Sequence, residues 1–432
     1  MKLHTKIALG LVLGALAGGL CNRFFAGAGW LSFISDNVAY PVGQVFLRLL
    51  FMTVVPIVFT SIAVGVAGIG DMKTLGRLGG RTMAFFAVST LLAALLGLTL
   101  VNTIQPGAGL PADTRDELMA RFASGAQGLA ESSAANFGIS TFVNIVPRNP
   151  VAAAANMDML ALIFFSLIFG AALTMIPREK AQPVIAVLEG IGEAVIAIIN
   201  LAMKLAPYGV FALIFVITSQ FGWGILQQLS MYVVVVMLGL LLHATVGISF
   251  LVKVFGRMSP LKFWKAIEAP MITAFSTSSS MATLPTSIAT AENRLGVQPK
   301  IAGFVLPLGA TMNMNGTALF EGVTVLFLAQ VFGVDLSLGS QIIVVILSVL
   351  TAIGAAGVPG GSLPLMMLVM ATVGVPPEGI AIILGVDRIL DMSRTTLNVA
   401  GDLAASTYID RSDRELTSMD SAHPSRPGPP AS

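Results

Sequence analysis

The chain has 432 residues, of which 55% are hydrophobic and only 11% charged, with a formal net charge of +2. A soluble domain carries about a quarter charged residues, so the composition points to an all-α polytopic membrane protein. The single cysteine, Cys21, excludes a disulfide framework, three scattered histidines make no metal cluster, and a balance this near neutral gives no reason to expect a nucleic-acid partner.

The N-terminus, with Lys2 and Lys6 before an apolar run to Leu20, resembles a signal peptide. It lacks a small-x-small cleavage site and further apolar spans follow, so it reads as span one, residues 7–25. Span two, residues 38–69, is too long for one perpendicular crossing and is expected to bend at Pro56. Lys73, Arg77 and Arg81 precede span three, residues 82–104. Residues 105–150 are too polar to span and read as a solvent-exposed loop with at most a short helix. Span four is residues 157–176, and span five, residues 183–219, is again over-long, with a bend expected at Pro207. Span six is residues 230–255, followed by Arg257, Lys262 and Lys265. The distribution of Lys and Arg places both termini in the cytoplasm, and the Ser/Pro-rich tail, residues 411–432, is expected to be disordered.

The second half departs from simple spans. Residues 266–291 enclose a hydroxyl-rich centre, Ser276 to Ser280 with Thr283, between apolar flanks too short to cross. Cytoplasmic charge at both ends fits a re-entrant hairpin entering from inside. Residues 338–375 repeat the pattern around Gly354 to Ser362, with no Lys or Arg in the flanking loops, which fits entry from outside. Paired broken segments in corresponding halves of a chain point to a transporter site. Span seven, residues 301–332, lies between them and is expected to be broken across residues 313–317, where amide and hydroxyl oxygens suit a hard cation.

The last apolar stretch, residues 380–386, runs into a segment that places Asp387, Asp391, Arg394, Thr395, Asn398 and Asp402 on one helical stripe. A charge in hydrocarbon costs about 2.5–3.5 kcal/mol on insertion scales, so such a stripe must face protein or water and marks a functional site. The alternative is a cytoplasmic amphipathic helix. His243 reads as a buried histidine rather than a proton relay, Glu189 and Glu193 as interfacial, and Cys21 as a small apolar residue. No nucleophile–base pair, metal cluster or nucleotide motif suggests an enzyme.

Together the serine-rich hairpin, the Asn313-Met314-Asn315-Gly316-Thr317 break, the Gly357-Val358-Pro359-Gly360-Gly361 tip and the charged stripe resemble the dicarboxylate/amino acid:cation symporter family, which includes the glutamate transporters. The likeness runs from Phe46-Leu47-Arg48 to Asp402 and includes Asn144-Ile145-Val146-Pro147 and Ala206-Pro207-Tyr208-Gly209-Val210-Phe211. The resemblance implies eight transmembrane helices, two re-entrant hairpins, inverted repeats, a homotrimer and an elevator-type mechanism in the plasma membrane (the bacterial inner membrane). It implies scaffold spans in residues 1–75 and 111–220, and a transport domain made of residues 76–110 and 221–410.

The resemblance also implies a site. Arg394 matches the clamp for the substrate side-chain carboxylate, and Asp391 the partner of its ammonium. Thr395, Thr317 and Asn398 match polar ligand positions, Ser279 and Ser280 the inner hairpin's contacts, and Val358 and Gly360 the outer hairpin's. Asp402, Asn398, Asn313 and the Gly309 carbonyl match one Na+ site. Thr311 with carbonyls of Ala352, Ile353 and Ala355 matches a second, and Met314 the methionine between them. Three departures follow. Asn315 stands where the family has Asp, and Phe86 where it has an aromatic hydroxyl, although Ser89 and Thr90 keep theirs; a third Na+ site is therefore not expected. Glu321 stands where animal members carry a proton-binding Glu and archaeal ones Gln, which makes it the candidate proton carrier; the alternative is a fixed salt-bridge partner. Ser278 replaces the archaeal hairpin Arg, and Arg388 either takes its place or anchors the interface. The implied function is uptake of glutamate or aspartate coupled to Na+, with H+ a candidate second coupling ion. The alternatives are a C4-dicarboxylate symporter of the same fold and, in another class, an anion channel.

Overall fold

The computed structural model describes residues 3–67, 72–122, 146–156, 159–354 and 360–422. Every regular element among them is a helix. The first half comprises α1 (Leu3–Phe25), α2 (Gly29–Ile34), a π-helical Ser35–Ala39, α3 (Tyr40–Phe51), α4 (Val54–Ala67), α5 (Met72–Ile104), α6 (Ala112–Phe122), α7 (Pro150–Ala155), α8 (Met159–Met175) and α9 (Arg178–Phe221). Asn144 and Ile145 of the motif quoted above lie outside the described residues.

Span two breaks at Met52–Thr53, not at Pro56 itself. The proline ring clashes with the carbonyl four residues earlier, which belongs to Met52. Pro56 then falls in the first turn of α4, where its missing N–H is tolerated. Span five is one continuous helix, α9 running through Pro183 and Pro207 for 44 residues. A proline inside a membrane helix is tolerated where a neighbour packs over the freed backbone. That neighbour is α1. A Cβ on Gly10 would run into the Pro207 carbonyl oxygen, and one on Gly14 or Gly18 would lie 2.6 Å from the carbonyl oxygen of Phe211 or Phe215. Small residues at four-residue spacing thus let the two backbones touch along a shared direction.

The second half comprises α10 (Gly224–Leu242), a π-helical His243–Ile248, α11 (Ser249–Val254), α12 (Pro260–Ala266), α13 (Glu268–Thr277), α14 (Ser280–Thr290), a π-helical Ala291–Leu295, α15 (Pro299–Met312), α16 (Asn315–Phe332), α17 (Leu338–Gly354), α18 (Leu363–Thr372), a 3-10 segment Pro377–Ile382 and α19 (Leu384–Ala422). The break in span seven is narrower than expected. Only Asn313 and Met314 leave the helix, while Asn315, Gly316 and Thr317 form the first turn of α16. The charged helix is also longer than expected. It begins at Leu384, after the 3-10 turn, and runs through the first twelve residues assigned to a disordered tail.

Ion pairs account for that extension. Asp410 Oδ1 accepts from the Gln298 backbone N–H at 2.9 Å, capping α15, while Arg414 binds Asp410 Oδ2 at 2.8 Å and donates to the Gly296 carbonyl at 2.7 Å. Lys300 meets Asp413 at 2.7 Å. These long-range contacts fasten the end of α19 to the start of α15.

Six stretches among the described residues are long and apolar enough to cross a membrane, the longest being Arg178–Phe221. By the same measure α8 is too short, and α19 does not qualify. At the centre stands α16, with 17 of its 18 residues buried. It is packed by α5, α6, α10, α17, α18 and α19. His243 is buried.

Candidate functional site

The charged stripe of α19 faces protein, with Asp387, Asp391, Arg394, Thr395, Asn398 and Asp402 all buried. Arg394 is only 2% exposed. Its Nη2 and Nε donate to Asp391 Oδ1 at 2.9 and 3.2 Å, and its Nη1 donates to Asp387 Oδ1 at 3.4 Å. The guanidinium carbon stands 4.2 Å from the centre of the Phe320 ring on α16. Both contacts to Asp391 fall on one oxygen, so the planar fork does not meet a two-oxygen edge. The other oxygen, Asp391 Oδ2, accepts from the Gly360 N–H at 3.3 Å and from Arg388 Nη1 at 3.4 Å. Arg388, 15% exposed at its side chain, therefore reaches the site.

One turn on, Asn398 acts on the start of α16. Its Oδ1 accepts from the Gly316 N–H at 2.8 Å and the Thr317 N–H at 3.4 Å, and its Nδ2 donates to Thr317 Oγ1 at 3.1 Å. Backbone N–H groups in a first helical turn lack intrahelical partners, and here a side chain from another helix supplies them. The approach is close enough that a Cβ on Gly316 would lie 2.6 Å from the Arg394 carbonyl oxygen.

The next turn of α19 carries Asp402. Asn313 Nδ2 donates to Asp402 Oδ1 at 2.9 Å, and a Cβ on Gly309 would lie 2.6 Å from that same oxygen. Asn313 Oδ1 is buried with no hydrogen-bond partner among the described residues. Asp402, Asn313 and Gly309 are thus brought together beside an unsatisfied amide oxygen, whereas Asn398 turns its own amide oxygen to the start of α16; an oxygen donor set of this kind could hold a hard monovalent cation. Met314, buried, is the second residue of the break.

Thr311 turns its hydroxyl to its own helix, donating to the Leu308 carbonyl at 3.0 Å, while α15 touches α17, where Ala352 is buried. Ile353 lies in α17, and Ala355 and Val358 lie outside the described residues. The serine junction packs through α13 and α14 against α19. Ser278 adopts φ +52°, and Ser279 caps α14, its Oγ accepting from the Ala282 N–H at 3.1 Å. Ser279 and Ser280 are both buried.

Asn315 Nδ2 donates to Ser89 Oγ at 3.1 Å, so an amide and a hydroxyl meet where the family pattern has a carboxylate. Phe86, Ser89 and Thr90 are buried. Glu321 is wholly buried and accepts from Thr351 Oγ1 at 2.6 Å. Sequence reasoning left out Asp387, Phe320 and Thr351 as functional residues. Asp387 was legible on the stripe. Phe320 and Thr351 carry no signal, being ordinary residues in apolar helices.

The chain matches the model of the Sodium:dicarboxylate symporter family over residues 3–412. It is 37% identical over 412 residues to a Proton/glutamate-aspartate symporter of Escherichia coli (strain K12), covering 94% of this chain and 92% of that one. It is also 37% identical over 410 residues to a Proton/sodium-glutamate symport protein of Bacillus caldotenax, covering 95% and 94%. A C4-dicarboxylate transport protein of Bacillus subtilis (strain 168) is 33% identical over 419 residues, covering 96% of each chain. A match of this length and quality, on a helical protein whose buried charges converge on α19, means that the chain belongs to the sodium:dicarboxylate symporter family.

Proposed function

We propose that the chain is a secondary active symporter that takes up acidic amino acids, glutamate or aspartate, with Na+ and H+. The observation that carries this reading is the buried pair of Arg394 with Asp391. A substrate with both a carboxylate and an ammonium exchanges this internal pair for two pairs of its own. The carboxylate offers the Arg394 fork two oxygens in place of one. The ammonium takes Asp391. No buried charge is left alone, and an unpaired one would cost about 3–5 kcal/mol. Ser279, Ser280, Thr317, Thr395, Asn398, Val358 and Gly360 complete the substrate site in this reading.

Na+ travels at two places. One is formed by Asp402, Asn398, Asn313 and the Gly309 carbonyl, the other by Thr311 with carbonyls of Ala352, Ile353 and Ala355, with Met314 between them. Asn315 brings no charge to a third, so fewer than three Na+ accompany each substrate, and Glu321 carries the proton. The helix pairs α13/α14 and α17/α18 act as re-entrant hairpins. Residues 76–110 and 221–410 slide as a transport domain against the scaffold of a homotrimer with cytoplasmic termini.

A second reading, a C4-dicarboxylate symporter, draws on Arg388, whose Nη1 lies 3.4 Å from Asp391 Oδ2 and offers a second cation to a second carboxylate. Counterflow in proteoliposomes, with aspartate, glutamate and succinate in competition, separates the two. Succinate displacing labelled aspartate as well as glutamate does would overturn the amino-acid reading. Reversal potentials measured with Na+ and pH varied separately test the coupling. A three-sodium stoichiometry removes the two-site reading, and indifference to the pH gradient removes the proton.

A further inference from the structure

Two hydroxyls on one face of α17, Ser348 and Thr351, are fully buried in the core. Thr351 Oγ1 lies 2.6 Å from Glu321 Oε2 and 2.7 Å from the Leu347 carbonyl oxygen. A hydroxyl has one hydrogen to donate and lone pairs with which to accept. Thr351 therefore cannot donate to both neighbours at once. With Glu321 ionised, both are acceptors and one goes without. With a proton on Glu321 Oε2, the acid donates to Thr351 Oγ1, Thr351 donates to Leu347, and both short contacts become hydrogen bonds. Among the described residues Glu321 Oε1 and Ser348 Oγ have no hydrogen-bond partner, so Thr351 is the hydroxyl seen to hold this carboxyl.

We infer that Thr351 is a positioning residue for proton coupling, its hydroxyl turning from the Leu347 carbonyl to the Glu321 carboxylate when the proton leaves. The inference rests on the proton-carrying reading of Glu321 and deepens it. The charged neighbours are few. From α19, Arg394 stands over Phe320, beside Glu321 in sequence, and is itself engaged by Asp387 and Asp391. From α10, Tyr232 hydroxyl bonds Thr324 at 2.7 Å. Helices α17 and α18 carry no titratable residue, nor does α5 beyond Arg81. Helix α6, which carries Asp113, Arg115, Asp116, Glu117 and Arg121, belongs to the other end of α16, where Gly333 faces Arg115. Thr351 is thus the polar group in contact with Glu321 that can answer its protonation state.

The test is the pH profile of substrate uptake and of substrate-driven proton entry in proteoliposomes, for the wild type, Thr351→Val, Thr351→Ser and Glu321→Gln. Valine keeps the shape of threonine and removes the hydroxyl. A hydrogen bond to an ionised group is about twice as strong as one between neutral groups, and the Leu347 carbonyl, inside α17, also accepts from the helix backbone and loses little, so ionised Glu321 loses more than its neutral form. The alkaline limb of the Thr351→Val profile is expected to move upward by about one pH unit. Thr351→Ser should restore it, which a role in packing alone would not produce. Glu321→Gln should flatten the profile. A Thr351→Val profile that matches the wild type, beside a flat Glu321→Gln profile, overturns the role of Thr351 and leaves the proton carrier standing. A Glu321→Gln profile that keeps the wild-type shape overturns both. If Thr351→Val does not insert, Thr351→Cys, a weak donor of similar size, takes its place under the same criteria.

Discussion

Helices α16 and α9 are both apolar by composition, and they are held in opposite ways. α16 places Thr317, Glu321 and Thr324 at spacings of four and three, and each is bonded to a side chain of a different helix: Asn398 of α19, Thr351 of α17 and Tyr232 of α10. Its polar groups point inward because every side is protein. α9 leaves Val187, Ile191, Leu201, Leu205 and Tyr208 exposed, and its own charges, Arg178, Glu179, Lys180, Glu189, Glu193 and Lys204, lie on exposed positions as well. It meets α1 backbone to backbone, through glycines. The same residue type, a glutamate in an apolar helix, is thus a core group in one and a surface group in the other. What separates them is what packs around the helix, which composition does not state.

The largest effect is expected where the buried charges beside α16 are unbalanced. Arg394→Cys leaves Asp387 and Asp391 without their principal partner and any substrate carboxylate unpaired. The cost is about 3–5 kcal/mol, enough to abolish aspartate and glutamate uptake. Uptake of neutral serine or alanine is the expected replacement. Radiolabelled uptake of both substrate classes checks it, and undiminished acidic uptake would remove Arg394 from the site.

That stripe was legible because charges in so apolar a chain have few places to go, and the Asn313–Met314 break was legible for the same reason. Its exact width was not. Asn398 caps α16 from 81 residues away, which allows the helix to start at Asn315 rather than after Thr317. The extension of α19 was hidden likewise, since the pairs of Asp410, Arg414 and Asp413 with residues 296–300 are long-range. The break four residues before Pro56 follows from proline sterics, whereas the unbroken helix at Pro207 depends on the α1 glycines packed over it.

On the α9 side, the contrast breaks at those glycines. Gly14→Ala puts a methyl group 2.6 Å from the Phe211 carbonyl oxygen, a backbone atom that can yield only if the helices part. The expected loss is about 1–3 kcal/mol, read as a lower melting temperature in detergent. A variant as stable as the wild type would show that the two helices are not held at this distance.

Removing the cap on α16 should cost less. Asn398→Ala frees the Thr317 N–H and leaves the Gly316 N–H with Asn315 Oδ1 alone, 3.0 Å away, a loss of about 0.5–2 kcal/mol in melting measurements made without substrate. Asn398→Asp keeps an acceptor at the helix N-terminus and should recover most of it. Equal losses in the two variants would mean that capping is not what Asn398 contributes to stability.

The smallest effect is expected at Glu193 of α9, the counterpart of Glu321. Its side chain is exposed, so Glu193→Gln removes a charge without stranding a partner in the core. Substitutions at such positions stay within about 0.5 kcal/mol, so melting temperature, uptake and its pH profile should all match the wild type. The comparison sharpens because Glu321→Gln makes the same chemical change in the other setting. A Glu193→Gln variant that destabilises the protein would mean that this face of α9 is covered in the assembly. A second copy packed on α9 in the proposed homotrimer would be such a cover, and cross-linking of cysteines placed at exposed positions such as Val187 and Ile191 would then capture it.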